Sequence, residues 1–413
     1  MTPLRPRKRV VLLLALLPLA AFGLYRALDS TRDSDLRDRL EELKSLPYLS
    51  WTRAEQGVEG AVAAARHDRI APGINLYASE VASGARFVAV DGRVVGELRD
   101  RRDKPTIWKL AKPLADGTFG VLAAGGTILR LDHQSRILFE HSDDFHHDFD
   151  FTADDLLVAP AWRTRRMPRI GWLRPVKDDV LVAVDSQGQT RWEVSIADAV
   201  AKVPELLAAA RQRPDRLLDW RKDTLHTNTV TVLPRTVRYA NGLVFPAGSV
   251  LTCWRNLDSV AVLDVSRPDE GARVLWHWGL GELELPHHPR LLDDGNILIF
   301  DNGTRRGWSR VVEVDPASGK ITWEYRADPP ESFYSSSRGS AQRLANGNTL
   351  IVESQRGHAF EVTPDGEIVW RFVEPRTRER GPVSARERAT IYRMERLPTE
   401  ALGATEIVPS PAD

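Results

Sequence analysis

Residues 287–300 read HHPRLLDDGNILIF, and residues 342–352 repeat the pattern as QRLANGNTLIV. Each run is followed by a strand that alternates, SRVVEVD at 309–315 or GHAFEVT at 357–363, and then by a glycine turn that leads to a tryptophan, Trp323 in the first copy and Trp370 in the second. The glycine in DDGN and ANGN supplies the positive φ that a tight hairpin requires. Each copy therefore predicts four short antiparallel strands, and self-similarity at a spacing of about 40–50 residues indicates a repeat architecture.

Four weaker copies precede these two, which gives six repeats. They cover residues 74–98, 108–139, 146–192 and 226–276. Four antiparallel strands per unit, repeated around an axis, are the β-propeller's way of avoiding exposed sheet edges. We therefore expect an all-β, six-bladed β-propeller of four-stranded antiparallel blades. The apolar segment 389–397 is expected to add a strand to the first repeat and close the ring.

The N-terminus has a different pattern. Four basic residues within positions 5–9 precede an apolar run that extends to about residue 28. This order is typical of a signal peptide or a membrane helix, with the rest of the chain on the far side of the membrane. We expect an uncleaved signal-anchor at residues 1–28 that holds the propeller on the periplasmic side of the inner membrane. Cleavage of this segment would instead give a secreted protein.

The other boundaries follow from charge and periodicity. Residues 29–50 are highly charged and predict a polar helical stalk, residues 51–400 contain the propeller, and residues 401–413 predict a disordered tail. Within the propeller, residues 197–222 have an amphipathic pattern that predicts a short helical insertion.

The amino-acid composition argues against several classes of partner and cofactor. Basic and acidic residues number 57 each, and no basic stripe is interleaved with aromatic residues, so nucleic acid is not an expected partner. Cys253 is the only cysteine, which excludes an intramolecular disulfide and a multi-cysteine metal site. The HHD segment at 146–148 suits a metal ion, but no second cluster has ligand spacing. No metal or other cofactor is therefore expected.

The strand order predicts where polar residues meet. In an antiparallel meander, first and third strands start at the same end of the sheet. His287 begins a first strand, and Arg310 and His358 begin third strands at equivalent positions. First strands of two other repeats also begin with histidine, at His146, His147 and His226. Propeller geometry would bring these residues together at the central channel. There imidazole can serve as nucleophile, acid or base, and arginine can bind anionic oxygens.

Several segments resemble the bacterial arylsulfotransferase family: PHHP at 286–289, IFDNG at 299–303, SRVVE at 309–313, QRLANGNTLI at 342–351 and GHAFEV at 357–362. The resemblance extends from about Gly73 to Val373. It implies a six-bladed propeller that transfers a sulfuryl group from an aryl sulfate to a phenol without a nucleotide, through a sulfohistidine. It also implies that His358 is the nucleophile and that Arg310, His287 and His226 complete the catalytic site. For substrate binding we expect the neighbouring residues His147, His288 and Asn302.

A second interpretation remains open. A non-catalytic propeller of the cell envelope could use the same fold to bind a protein or an anionic glycan. Its histidines would then cap strand ends, and Arg310 would form a salt bridge within the repeats. A homodimer is compatible with either interpretation.

Overall fold

The computed structural model describes residues 50–55, 62–64, 67–171, 175–212, 222–380 and 385–399. Across these ranges the chain forms a succession of antiparallel sheets, which we number 1 to 6 along the sequence. The predicted signal-anchor at 1–28, most of the predicted stalk and the tail at 401–413 lie outside the described residues.

Each sheet has four main strands, named below in their order of pairing. Sheet 1 contains Ile391–Leu397, Ile74–Ser79, Gly84–Ala89 and Val94–Arg99. Sheet 2 contains Trp108–Pro113, Phe119–Ala123, Thr127–Leu131 and Ile137–Ser142. Sheet 3 contains Asp150–Phe151, Leu157–Arg165, Val176–Val184 and Thr190–Ser195. Sheet 4 contains Thr227–Val232, Val250–Trp254, Ser259–Asp264 and Arg273–Trp278. Sheet 5 contains His287–Leu291, Ile297–Asp301, Arg310–Asp315 and Lys320–Tyr325. Sheet 6 contains Ser340–Arg343, Thr349–Glu353, His358–Val362 and Ile368–Val373.

Short strands extend or accompany these sheets. Lys222–Asp223 pairs in parallel with the third strand of sheet 3, and Val62–Ala64 pairs with the fourth strand of sheet 6. Two smaller sheets are formed by Val237–Arg238 with Val244–Phe245, and by Trp51–Arg53, Ala385–Ala389 and Thr377–Arg380. Short 3₁₀ turns occupy His67–Arg69, Arg255–Leu257, Pro268–Glu270, Pro330–Ser332 and Ser354–Arg356.

Two α-helices, Ile196–Val200 and Pro204–Gln212, follow sheet 3 at the predicted insertion. The Ser195 hydroxyl caps the first helix by accepting a hydrogen bond from the backbone N–H of Asp198. Buried residues of both helices belong to the same apolar core as sheets 3 and 4. In the part of the chain that the structure describes, no helix has the length and apolarity needed to cross a membrane.

The hairpin turns explain the glycines of the repeated motif. Gly295 and Gly347 have φ values of 94° and 88°. The backbone N–H of Gly347 donates to the carbonyl of Leu344, and Gly295 makes the same bond to Leu292. Only glycine adopts this conformation without strain, so the DDGN and ANGN segments set the register of sheets 5 and 6.

The C-terminal strand completes the first sheet. Ile391–Leu397 pairs antiparallel with Ile74–Ser79, as the apolar pattern of this segment predicted. Sheet 1 thus combines three strands from the start of the described body with one from its end. Since Val62–Ala64 extends sheet 6 in turn, each end of the body joins the sheet built mainly by the other end.

A buried ion pair ties sheet 6 to that closing strand. The carboxylate of Glu361 pairs with the guanidinium of Arg396, and Glu361 also accepts hydrogen bonds from the Asn348 amide and the Ala71 backbone N–H, both at 2.7 Å. The Arg396 guanidinium lies over the Trp370 ring. The same residue types recur between sheets 5 and 6, as Asn296, Glu313, Arg343 and Trp323. The glutamates of the repeat therefore hold neighbouring sheets together.

Tryptophans of the fourth strands make a second repeated link. Each indole N–H donates to a carbonyl in the last turn of the following sheet: Trp278 to Gly319 (3.0 Å), Trp323 to Pro364 (2.8 Å) and Trp370 to Val90 (2.8 Å). The last of these again joins sheet 6 to sheet 1.

The first strands are also linked from sheet to sheet. Lys112 with Asp150 joins sheets 2 and 3, and the Val232 backbone with Asp150 joins sheets 3 and 4. The His288 backbone with Thr229 joins sheets 4 and 5, and the Ala341 backbone with the His288 ring joins sheets 5 and 6. The Arg396 backbone with Gln342 joins sheets 6 and 1. Sheets 1 and 2 meet where the backbone N–H of Trp108 donates to the carbonyl of Ala82. The described sheets therefore form a closed circuit with the architecture of a β-propeller.

We expect Arg396→Met to lower the free energy of unfolding by about 3–5 kcal/mol, because it leaves the Glu361 carboxylate buried without its cation. Urea denaturation measures the change. The double variant Arg396→Met/Glu361→Gln should recover part of the loss. Arg267 provides a matched control: its pair with Glu270 is exposed on both sides, so Arg267→Met should change stability by less than about 0.5 kcal/mol. Equal effects of Arg396→Met and Arg267→Met would contradict the closing role of the buried pair.

Candidate functional site

Four successive sheets carry a basic residue with left-handed backbone at or just before their first strand. They are His147 (φ 63°), His226 (φ 52°), His288 (φ 51°) and Arg338 (φ 60°). This region of φ costs a side chain other than glycine about 1–2 kcal/mol, so the surrounding contacts must hold it. The recurrence brings four basic residues to equivalent positions at one end of sheets 3 to 6.

Four histidines, His146, His147, His226 and His287, form what we call the histidine cluster. The rings of His147 and His226 lie 4.8 Å apart, centroid to centroid, and the Nδ1 atoms of His146 and His147 are 2.8 Å apart. Burial lowers the pKa of His147 well below its ordinary value, and the charges of His226, His146, Lys109 and His287 act in the same direction. His147 is therefore a neutral imidazole near neutral pH.

The tautomer of His287 follows from its partners. Its Nδ1 lies 2.6 Å from the side-chain oxygen of Asn302 and 3.1 Å from the carbonyl of Leu285, and both of these atoms are acceptors. The amide nitrogen of Asn302 donates to the carbonyls of Ser335 and Arg338, which fixes the orientation of the amide. Nδ1 of His287 must carry the proton, and Nε2 keeps its lone pair. Burial lowers the pKa of His287 to about 3.

His226 has a carboxylate behind it. Its Nδ1 lies 2.7 Å from Oδ2 of Asp223, the second residue of the short strand that extends sheet 3. Burial alone would raise the pKa of Asp223, but the neighbouring charges, His226 first among them, lower it below its ordinary value. The carboxylate is an acceptor, so Nδ1 of His226 is the donor of this bond and Nε2 lies at the far edge of the ring.

A small cavity adjoins His287, with room for about one water molecule. It is lined by Asn228, His287, His288, Arg338, Gly339, Tyr392 and Arg393. Both guanidiniums have acidic partners: Arg338 pairs with Glu80 and Arg393 with Asp148. Because Asp148 binds Arg393 and Lys112, the carboxylate of the HHD segment serves an ion-pair network. In the described ranges, no group of three or more His, Cys, Asp or Glu side chains has an arrangement that could hold a metal ion.

His288 serves mainly to connect sheets. Its backbone N–H donates to the Thr229 hydroxyl at 3.2 Å, and its ring Nδ1 accepts from the backbone N–H of Ala341 at 3.3 Å. Burial lowers the pKa of His288 well below its ordinary value. The ring therefore bridges sheets 5 and 6 as a neutral acceptor while one face lines the cavity.

Arg310 lies among carboxylates rather than histidines. Its guanidinium contacts Asp301 at 2.8 Å, Glu282 at 2.9 Å and Glu324 at 3.1 Å. Within the residues described, no hydrogen bond or ion pair joins Arg310 to the histidine cluster. Arg310 is thus the centre of an ion-pair network formed by sheet 5 and the segment just before it.

His358 occupies the equivalent position in sheet 6. It pairs in register with Glu353, as Arg310 does with Asp301, so the equivalence expected from the repeat is present. Its Nδ1 lies 3.9 Å from the Glu353 carboxylate. Burial lowers the pKa of His358 to about 4 and raises that of Glu353 to about 7. The contacts described for His358 do not include a member of the histidine cluster.

Sequence reasoning missed some lining residues of the cavity, chiefly Arg338, Tyr392 and Arg393. A signal existed for Arg338, because it occupies in the last repeat the place of His288 in the one before. Tyr392 and Arg393 belong to the closing strand, and their side chains bond His147 and Asp148, just before the first strand of sheet 3. No local pattern announces such contacts, since they depend on how the two ends of the chain meet.

Comparison with known proteins gives one family. The sequence model described as arylsulfotransferase (ASST) matches residues 123–375, more than half of the chain. No curated protein matches the chain significantly.

Solved structures with a similar fold share little sequence with this chain. A protein of unknown function from Bacteroides caccae has a TM-score of 0.45 at 12% identity, covering 73% of this chain and 93% of that one. A streptogramin B lyase has a TM-score of 0.45 at 10% identity, covering 81% and 97%. A virginiamycin B lyase from Staphylococcus aureus has a TM-score of 0.43 at 10% identity, covering 83% and 98%.

We expect Asn302→Asp to raise the pKa of His287 by roughly 1 to 3, because a carboxylate at Nδ1 favours the protonated imidazole. Titration by ¹⁵N NMR of histidine-labelled protein measures the change. Asn241→Asp, on an exposed turn whose side chain bonds Ala317 and Leu243, is the control and should leave His287 unchanged. If the pKa of His287 did not respond to Asn302→Asp, the assigned contact between the two side chains would be wrong.

Proposed function

Because the chain belongs to the arylsulfotransferase family, we propose that it transfers a sulfuryl group from an aryl sulfate to a phenol at the histidine cluster. We further propose that sheets 1 to 6 are the six blades of one propeller and that the cluster lies at one end of its central channel. The observation that carries the proposal is that the rings of His147 and His226 lie side by side, and that His287, at the start of the next sheet, interacts electrostatically with both.

Each of these imidazoles has its Nδ1 held by a neighbour. The partners are His146 for His147, Asp223 for His226 and Asn302 for His287. Nε2 of each ring is thereby left for chemistry. Because Nδ1 is occupied in all three rings, Nε2 of one ring can act as the nucleophile and Nε2 of another as the general acid and base.

We assign the nucleophile to His287. Its Nε2 lone pair is fixed by two acceptors at Nδ1, and its low pKa keeps the ring unprotonated near neutral pH. Nε2 would attack the sulfur of the aryl sulfate, forming an N–S bond as the S–O bond to the aryl group breaks. His226, supported by Asp223, would give its proton to the departing phenolate.

The second half-reaction reverses these steps. The oxygen of an incoming phenol would attack the sulfur of the sulfohistidine, the N–S bond would break, and His226 would take the phenol's proton. His287 and His226 then return to their starting states. This scheme predicts ping-pong kinetics, since the donor's phenol leaves before the acceptor reacts.

The cavity beside His287 is too small for an aryl sulfate, so the donor would lie outside it with its sulfuryl oxygens towards the lining residues. Asn228 and the two guanidiniums could hold its oxygens. The family resemblance assigned the nucleophile to His358 and the anion-binding role to Arg310, and these assignments are less well supported. Their contacts with Glu353 and Asp301 favour a structural role.

The location of the protein is part of the proposal. The basic segment at residues 5–9 and the apolar run that follows it support a signal-anchor, with the propeller in the periplasm. A periplasmic enzyme would act on aryl sulfates and phenols that reach the cell envelope, without a nucleotide donor.

We expect the full-length protein mixed with 4-nitrophenyl sulfate to release 4-nitrophenol and to gain the mass of one sulfuryl group. His287→Ala should abolish both, with a fall in rate of about 10²-fold or more. His358→Ala should retain the adduct and most of the rate. Intact-mass spectrometry and absorbance measure the two readouts in one sample.

Three other results would redirect the proposal. An adduct that survives in His287→Ala but is lost in His358→Ala would restore His358 as the nucleophile. Patterns that require a ternary complex would exclude the sulfohistidine. No release and no adduct across several aryl sulfates would favour the non-catalytic scaffold that binds a protein or an anionic glycan.

A further inference from the structure

Sheet 3 differs from the other sheets in the length of its middle strands. Leu157–Arg165 and Val176–Val184 have nine residues each, while no first-to-fourth strand of the other numbered sheets exceeds seven. The extra length of the ladder puts Trp162 opposite Asp179, beside the histidine cluster. Asp179 is fully buried there.

One oxygen of Asp179 has a fixed partner. Oδ2 accepts a hydrogen bond of 2.7 Å from the backbone N–H of Thr227, the residue after His226. Oδ1 lies 3.4 Å from Nε2 of His146. Both of these atoms are buried, and neither makes a hydrogen bond of normal geometry with any of the residues described, so the 3.4 Å contact is a long one. Because unpaired buried polar atoms are costly, we infer that Nε2 of His146 carries a proton and directs it at Oδ1 of Asp179.

The series of contacts continues to His147. If Nε2 of His146 carries the proton of its neutral ring, Nδ1 of the same ring is an acceptor. Nδ1 of His147, at 2.8 Å, must then be the donor. A neutral His147 with its proton on Nδ1 keeps a lone pair on Nε2, at the opposite edge of the ring.

Trp162 holds the middle of this series in place. Its indole stacks on the His146 ring, with centroids 4.3 Å apart and the planes 18° from parallel. Nζ of Lys177 lies 3.2 Å from the centroid of the indole. A ring stacked in this way has little freedom to flip, so Cδ2 and Cε1 of His146 cannot take the places of Nδ1 and Nε2.

We propose that Asp179, acting through His146, fixes His147 in the Nδ1–H tautomer, so that His147 offers His226 a lone pair rather than a second proton. Asp179 and His146 are positioning residues in this scheme. Its role in catalysis rests on the proposed function, in which His226, and not the adjacent His147, gives a proton to the leaving phenolate. The tautomer itself can be tested without any activity.

Asp179→Asn reverses the order of donors and acceptors without changing the shape of the side chain. The backbone N–H of Thr227 needs an acceptor, so the new amide oxygen would be held where Oδ2 is now, and the new amide nitrogen would face His146. Nε2 of His146 must then accept, its Nδ1 must donate, and Nδ1 of His147 must accept. The proton of His147 moves to Nε2, where it opposes the proton of His226.

The test uses ¹⁵N-histidine NMR of the full-length protein, with His146→Gln and His147→Gln variants to assign two of its ten histidines. We expect protonated Nε2 on His146 and protonated Nδ1 on His147 in the wild type, and the reverse in Asp179→Asn. Asp185→Asn is the matched control, because Asp185 follows the same strand and bonds the turn residues Gln187 and Gln189 together with Arg191. It should leave both tautomers unchanged.

Kinetics separate positioning from structural damage. Phenyl sulfate has a poor leaving group that needs a proton, whereas 4-nitrophenyl sulfate has a good one. Asp179→Asn should lower kcat with phenyl sulfate by about 10²-fold and with 4-nitrophenyl sulfate far less, with KM little changed. General damage to the fold would lower both rates alike.

The outcomes are distinct. Wild-type tautomers other than those expected overturn the proposal, even if Asp179→Asn fails to fold. Unchanged tautomers in a folded Asp179→Asn also overturn it, as does an equal loss of rate with both donors. If the tautomers reverse as expected but the wild type transfers no sulfuryl group, the proposed function fails while the action of Asp179 on His147 stands.

Discussion

The buried pair between Glu361 and Arg396 is the contact on which the rest of the structure depends. It joins the third strand of sheet 6 to the first strand of sheet 1, where the end of the described body meets its beginning. The same glutamate also holds the Asn348 side chain and the Ala71 backbone. Since an isolated buried charge is expensive, neither residue tolerates the absence of the other, and the circuit of sheets is specified at the point where it closes.

That closure determines the candidate site. The closing strand supplies Tyr392, whose hydroxyl donates to the carbonyl of His147 at 3.0 Å, and Arg393, which binds Asp148. The segment after His146 is thus held from the opposite end of the chain. The left-handed backbone of His147 depends on such contacts, because local propensity opposes it. The site is a product of the whole circuit rather than of any one repeat.

Sequence reasoning predicted the parts of the fold that repeat. The glycine turns, the tryptophans of the fourth strands and the glutamates of the third strands carry the same contacts from copy to copy, so their pattern is visible in one sequence.

Sequence reasoning also placed His147, His226 and His287 at one end of their sheets, because that conclusion needs only the direction of each strand. It could not separate them from Arg310 and His358, since strand direction fixes the end of a sheet but not the distance from its first strand. Nor does any local pattern indicate that Asp179 faces His146, because that contact depends on the extra length of two strands and on their register. Contacts that occur once, between segments far apart in the chain, cannot be found by comparing repeats.

Because the first strand of sheet 1 comes from near the C-terminus, this sheet is completed only late in translation. A ribosome makes Ile74–Ser79 early and Ile391–Leu397 more than 300 residues later, so the nascent chain carries an unpaired strand edge for most of that interval. Tyr392 and Arg393 arrive with that strand, and the cavity beside His287 has no complete wall until they do. A chain whose translation stops before residue 391 therefore lacks both the strand that closes the circuit and two of the side chains that line the cavity.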